Sequence, residues 1–92
     1  MSEAGIKREE ISEIVMRYVL TELLPGEDPG ALTSTTPLIT GGIIDSIASL
    51  KLVGFLEERF RVQFEAREIT VDCLDTVTLI VDTVAGKLAR GT

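Results

Sequence analysis

The stretch GGIIDSIASLKLVGFLEERF, residues 41–60, decides the fold because its apolar residues recur at helical spacing after a pair of glycines. Asp45 or Ser46 can cap the first amides of a helix that starts here. One face of that helix carries Leu52, Val53, Leu56 and Phe60, with the small Ser49 among them. The pattern predicts a helix from about Ser46 to Phe60 whose apolar face lies in a core.

A further helix is predicted on each side of this stretch. The first covers about Lys7–Leu24, and its apolar face is Ile11, Ile14, Val15 and Tyr18. The last begins near Asp75 or Thr76, either of which can cap it, and Gly86 marks fraying towards its end. Its apolar face is Val77, Ile80, Val81, Val84 and Leu88. Because these residues are mostly β-branched, tertiary packing must stabilise this helix.

A loop of roughly twenty residues joins the first two helices, which is long for so small a domain. It starts at Pro25-Gly26 and contains the turn Asp28-Pro29-Gly30 and a polar run at residues 33–37. Leu38 and Ile39 are its expected anchors in the core. Its length indicates either a functional loop or one that its own apolar residues hold in place.

One more helical turn is expected near Glu65–Ile69. The chain is then a single domain, residues 1–92, with an ordered core at about residues 7–88. The predicted fold is a small all-α helical bundle with three main helices, one short helical turn and a long loop between helices 1 and 2. A chain of this size has a modest core, which makes a deep catalytic cavity unexpected.

Composition excludes several function classes. The 92 residues include 15 acidic and 9 basic side chains, a net charge of −6, no histidine and 1 cysteine. Such a surface repels nucleic acid and anionic lipid and suits basic protein partners. Because the chain has no histidine and no second cysteine, we exclude Ser–His and Cys–His catalysis. The same absence excludes the commonest zinc sites and an internal disulfide. We therefore expect a protein that is no enzyme and holds no metal. The sequence leaves the oligomeric state open, and a monomer is expected.

The same sequence indicates a compartment. No apolar run approaches membrane-spanning length, and the charged N-terminus lacks the apolar core of a signal peptide. We therefore expect a cytoplasmic protein without membrane insertion. The single Cys73 fits a reducing compartment, and it is expected to fill space near the start of the last helix.

Ser46 is the residue whose position suggests chemistry. At the N-terminus of a helix, unpaired N–H groups and a partial positive charge favour a phosphate bonded to the serine. Gly41 and Gly42 keep the approach open, and the Asp45 carboxylate can help to hold a magnesium ion that a partner enzyme supplies. Because the chain offers no usual base, an outside enzyme must attach the group. The alternative is that Asp-Ser is only a helix cap.

The chain resembles the acyl carrier protein family, including aminoacyl and peptidyl carriers, over about residues 38–84, and the helix order extends this to Lys7. The matching residues are LITGGIIDSI at 38–47, followed by Leu50, Leu52-Val53, Leu56-Glu57-Glu58-Arg59-Phe60 and Val62. The resemblance implies that Ser46 carries 4′-phosphopantetheine, transferred from coenzyme A by a phosphopantetheinyl transferase. The thiol of that arm then holds an acyl or aminoacyl cargo as a thioester. Further implied partners are an acyl- or aminoacyl-activating ligase and a downstream synthase or transferase.

The second helix has a side that faces away from its predicted core. Five of its residues are candidate contacts for partners: Ile47, Lys51, Phe55, Glu57 and Glu58. Two of these residues, Ile47 and Phe55, are apolar. The alternative for both is that they are ordinary surface residues, because isolated exposed hydrophobic residues are common. Gly54, on the same side, either leaves room for a partner side chain or allows tight helix packing.

The second helix differs from that of the fatty-acid carriers in the family, whose second helix is strongly acidic. From Asp45 to Phe60 this chain has three acids and two bases, and Lys51 stands where an acid is common. The run around Ser46 is more similar to free-standing carriers for D-alanine, other amino acids or specialised extender units. Two rival hypotheses remain: an unmodified helical interaction or scaffold subunit, and an enzyme that uses Ser46 as its nucleophile.

Overall fold

The computed structural model describes residues 7–23 and 32–90. In these ranges the chain forms four α-helices and no strand: α1 Arg8–Tyr18, α2 Ser46–Phe60, α3 Val71–Leu74 and α4 Val77–Ala89. A π-helical turn, Val19–Leu23, continues α1, and a 3₁₀ turn, Ala66–Glu68, precedes α3. The predicted small all-α bundle with three main helices is confirmed.

The helix ends follow local chemistry. The Asp45 carboxylate accepts a hydrogen bond from the Ala48 amide at 2.8 Å, and the Thr76 hydroxyl accepts one from the Leu79 amide at 3.1 Å. Thr76 is therefore the cap of α4. The predicted fraying at Gly86 is wrong, because α4 continues to Ala89 with buried residues on both sides of the glycine. The predicted helix end at Leu24 and the turn Asp28-Pro29-Gly30 lie outside the described residues.

The predicted apolar faces form the core. α4 packs against α1, α2 and α3. Each fully buried Leu, Ile or Val contributes about 1.5–3 kcal/mol by leaving water. The buried positions that helical spacing identified are Ile11, Val15, Leu52, Val53, Leu56, Phe60, Val77, Ile80, Val81 and Val84. Ile14, Tyr18 and Leu88 are only half-buried and pack at the edge of this core.

Residues 61–70, between α2 and α3, are held by two charged side chains. The Glu57 carboxylate accepts a hydrogen bond from the Phe64 amide at 2.8 Å. Lys87 on α4 is 4% exposed, and its Nζ lies 2.7 Å from Glu68 Oε1 and 5.0 Å from the centre of the Phe64 ring. The 3₁₀ turn confirms the helical turn expected near Glu65–Ile69, whereas the four-residue α3 was not predicted.

Candidate functional site

Ser46 is the first residue of α2, and it is exposed. Its neighbour Asp45 caps the helix through the Ala48 amide. The first two amides of α2, those of Ser46 and Ile47, precede the first intrahelical hydrogen bond, which runs from the amide of Ser49 to the carbonyl of Asp45 at 2.9 Å. Within residues 7–23 and 32–90, the Ser46 hydroxyl makes no hydrogen bond. The serine is thus open to an incoming group and is not activated by a neighbour.

The glycine pair shapes the turn that leads into Ser46. Gly42 has a φ of 76°, in the left-handed region where glycine is favoured. Gly41 lies so close to the carbonyl of Pro37 that a Cβ would overlap it. The amides of Ile43 and Ile44 both donate to the Leu38 carbonyl at 2.9 Å. Both glycines are therefore required by the backbone, and the turn aims the chain into α2.

A carboxylate from the junction between α3 and α4 holds this loop. Asp75 Oδ1 accepts hydrogen bonds from the amides of Ile39 and Thr40 at 2.9 Å, and its Oδ2 accepts one from the Thr40 hydroxyl at 2.8 Å. These donors, the Thr40 amide above all, lower the pKa of Asp75. The sequence indicated Asp75 only as a possible helix cap. Its role in the loop was missed because the two segments are distant in the chain.

Apolar residues of the loop also enter the core. Leu38 is fully buried, as predicted, and Ile44 and Leu32 are buried beside it. Ile39 is half-buried. Of the two explanations offered for the long loop, the described part, residues 32–45, supports the second, because its own side chains hold it in place. The position of Ser46, directly after this loop, is therefore fixed by the core.

A shallow cavity of about 290 Å³ opens beside Ser46, between α2 and the segment that contains α3. We call it the Ser46 cleft. Besides the serine, its lining is mainly apolar and includes Ile39, Leu50, Ile69, Val71 and Leu74. Ser49, also at its wall, donates its hydroxyl hydrogen bond to the Asp45 carbonyl at 3.0 Å. The cleft can therefore take an apolar group that is attached to, or brought to, the serine.

Four residues on the outward side of α2 are exposed, as expected from the sequence: Ile47, Lys51, Gly54 and Glu58. A Cβ placed on Gly54 would meet nothing within 4 Å. Tight helix packing is therefore not the reason for this glycine, and the surface around it is open. Contact of Ile47, Lys51 and Glu58 with a partner stays a prediction.

Phe55 and Glu57 have structural contacts that the sequence did not indicate. The prediction that Phe55 points away from the core is wrong, because its ring is half-buried and stacks on Tyr18 of α1 with centroids 4.0 Å apart and planes at 11°. The half-buried Glu57 holds the Phe64 amide. Both side chains connect α2 to other parts of the bundle. Their proposed role in partner binding stays a prediction.

Two further features of the site concern the carboxylate beside Ser46 and possible metal ligands. The nearest carboxylate in sequence, that of Asp45, is engaged with the Ala48 amide. Among the described residues, no group of three or more potential metal ligands is found. No helix there is long and apolar enough to cross a bilayer.

Searches against protein-family models and against curated proteins gave no match to this chain.

Proposed function

We propose that this chain is a free-standing carrier protein that holds an acyl or aminoacyl group as a thioester on a 4′-phosphopantetheine arm attached to Ser46. The observation that carries the proposal is the position of Ser46. Its hydroxyl is exposed at the N-terminus of α2, beside an apolar cleft, and it has no activating partner within the described residues.

The surroundings of Ser46 suit the phosphate end of such an arm. The first amides of α2 and the helix dipole favour a phosphodiester bonded to the serine. The Ser46 cleft, about 290 Å³, offers apolar contacts to the part of the arm beyond the phosphate. When attached, the arm supplies the thiol that carries the cargo. Its reach, on the order of 20 Å, is comparable to about six extended residues.

The attachment needs a partner enzyme. In the transfer, a bond forms between Ser46 Oγ and phosphorus while the phosphoanhydride of coenzyme A breaks and adenosine 3′,5′-bisphosphate leaves. The serine proton passes to a base on the phosphopantetheinyl transferase, since the chain has no histidine. Asp45, next to the serine, is a candidate for helping to position a magnesium ion there. Such a carrier works in the cytoplasm, loaded by an activating ligase and emptied by a synthase or transferase.

The test is an intact-mass measurement after incubation of the full chain with coenzyme A and a broad-specificity phosphopantetheinyl transferase. We expect wild-type protein to gain the mass of one arm and Ser46→Ala to gain none. Ser12→Ala, a serine on α1, is the matched control and should be modified like wild type. A gain that persists in Ser46→Ala would assign the modification to another residue and contradict the proposal.

The second candidate function is an unmodified helical interaction subunit with the same fold. The exposed Ile47 and Leu50 favour it, because apolar side chains on a helix surface are also typical of protein contacts. If no transferase modifies the folded wild-type chain, this second function is preferred.

A further inference from the structure

Another groove of the described chain lies between α1, with its π turn, and the C-terminal half of α2. It is a shallow cavity of about 290 Å³. The stacked, half-buried rings of Tyr18 and Phe55 line it, together with the exposed side chains of Arg17 and Arg59. We call it the arginine groove. It is distant from Ser46, because Arg59 lies about 20 Å further along the axis of α2.

The charges in this groove are not balanced. Neither Arg17 nor Arg59 forms an ion pair within residues 7–23 and 32–90, although three other cations in these ranges do. Glu22 is the carboxylate that lines the groove, whereas the acidic neighbours Glu13 and Glu58 on the two helices do not line it. Two cations therefore face one anion here, on a chain whose net charge is −6.

The hydroxyl groups of the arginine groove are already engaged. The Tyr18 hydroxyl donates a hydrogen bond to the Lys51 carbonyl at 3.3 Å, and the Thr21 hydroxyl donates one to the Arg17 carbonyl at 2.7 Å. The guanidinium N–H groups are therefore the donors that remain for a bound molecule. A guanidinium presents its N–H groups as a planar fork that matches the two oxygens of a carboxylate. The chemical complement of the groove is an acidic group next to an apolar one.

Structural reasons explain each arginine separately. Arg17 lies in the last turn of α1 and Arg59 in the last turn of α2, where the helix dipole favours a cation. The guanidinium of Arg59 also lies 5.7 Å from the centre of the Phe60 ring. Neither reason requires both charges to line the same aromatic surface. The π turn Val19–Leu23 borders this surface, and π turns are frequent at functional sites.

We propose that the arginine groove is a docking site for an acidic segment of a partner protein, whose carboxylates pair with Arg17 and Arg59 while an apolar side chain packs beside Tyr18. This inference goes beyond the proposed function, because it does not depend on a group attached to Ser46. A cavity of about 290 Å³ takes one or two side chains. It is smaller than the roughly 300–1,000 Å³ of small-molecule sites. The expected interface is therefore small and reversible.

Two other occupants fit less well. A second copy of the chain carries the same net charge of −6 and is repelled as a whole. A nucleic acid needs a series of cations along its phosphates and is repelled by the same net charge. An acidic segment of limited length reaches the two arginines while the rest of its protein, which need not be acidic, stays away from the other acids.

The first test is an NMR titration of the isotope-labelled full chain with the acetylated peptide Glu-Leu-Glu-Glu. We expect amide shift changes concentrated in residues 14–22 and 55–59. The neutral peptide Gln-Leu-Gln-Gln should bind about tenfold more weakly, because charge-assisted hydrogen bonds to arginine are lost. Equal binding of the two peptides, or no binding of the acidic one, would overturn the inference.

The second test removes the two arginines. The double variant Arg17→Gln/Arg59→Gln should bind the acidic peptide about tenfold more weakly than wild type. The matched control is Arg67→Gln/Arg90→Gln, which removes two exposed cations elsewhere and changes the net charge equally. Its Kd should change by less than about twofold, because distant exposed charges are screened. An equal loss in both double variants would mean that attraction follows net charge, and it would contradict docking in the groove.

The four arginines are exposed, so circular dichroism should show the wild-type fold in both double variants. Ser46→Ala should bind the acidic peptide like wild type. If wild type binds the peptide but is never loaded, the proposed function fails and this inference stands; if it is loaded but binds no peptide, the reverse holds. Sedimentation should show a monomer, and a dimer that Arg17→Gln/Arg59→Gln dissociates would identify a second copy as the occupant and refute the inference.

Discussion

At its N-terminal end α2 leaves Ile47 and Leu50 in solvent, whereas towards its C-terminal end Phe55 and Glu57 are held by other parts of the chain. All four residues lie outside the buried face that helical spacing predicts. The two ends differ in whether another part of the bundle contacts these side chains. Side chains with an intramolecular partner stabilise the fold, and those without one are available for binding. The helix thus has an exposed end and a structural end.

The largest effect is expected from Lys87→Met on α4, which supports the segment that Glu57 of α2 contacts through the Phe64 amide. Its ammonium pairs with Glu68 in a largely buried position, and the substitution removes this ion pair while the carboxylate keeps its hydrogen bond from the Glu65 amide. We expect a loss of about 2–3 kcal/mol in the free energy of unfolding, since breaking a buried pair is costly and Glu68 keeps partial access to water. Urea denaturation measures it. The control is Lys51→Met at an exposed lysine, which should change stability by less than about 0.5 kcal/mol.

An equal loss for both lysine variants would show that the pair does not hold residues 61–70.

A smaller effect is expected from Phe55→Ala, which removes the ring that stacks on Tyr18. Because the ring is half-buried, we expect a loss of about 2 kcal/mol in the free energy of unfolding, below the range for a fully buried phenylalanine. Leu50→Ala, on the same helix, should cost less than about 0.5 kcal/mol because the side chain is exposed. Thermal or urea unfolding of both variants gives the comparison.

Loading by the transferase should show the reverse order, with Leu50→Ala slower than Phe55→Ala. If Phe55→Ala keeps its stability but loads slowly, the aromatic side chain contacts the transferase, as the sequence first suggested.

The smallest effect is a pH dependence from the carboxylate that holds the loop before Ser46. The folded-state pKa of Asp75 lies below its ordinary value of 3.8, chiefly because of the hydrogen bond from the Thr40 amide. A lowered pKa contributes stability above the unfolded value, and this stability is lost as pH falls through the folded value. Acid titration of the unfolding free energy should therefore be flatter in Asp75→Asn, whose stability is lower at neutral pH.

The unfolding free energies of wild type and Asp75→Asn should converge at pH values below the folded-state pKa of Asp75. The control variant Asp72→Asn changes an exposed neighbour that has no side-chain hydrogen bond in the described residues, and its unfolding free energy at neutral pH should match wild type. An Asp75→Asn curve parallel to wild type would mean that the loop does not depend on the ionised carboxylate.

Periodicity predicted the features that depend on one helix at a time. The apolar faces of α1, α2 and α4 were identified because burial repeats every three to four residues along each of them. The cap at Asp45 and the exposed Ser46 depend on neighbours in sequence. The glycine pair was noted, although its reasons, a left-handed φ and a close carbonyl, are visible only in the folded chain.

Contacts between distant segments could not be predicted in the same way. α3 has four residues, too few for a periodic pattern. The stacking of Phe55 depends on the position of Tyr18 on another helix, and the burial of Lys87 depends on Glu68 and Phe64. Gly86 lies within an intact helix because packing outweighs the roughly 1 kcal/mol that glycine costs there.

The Asp75 contact has a consequence for transplanting the serine into another protein. The loop before α2 is held by a residue that lies beyond α3, so the geometry of Ser46 belongs to the whole segment from Leu38 to Thr76. A short tag made of the serine and its helix would lack that carboxylate. The shortest segment that keeps the geometry of Ser46 in another protein must include the junction between α3 and α4.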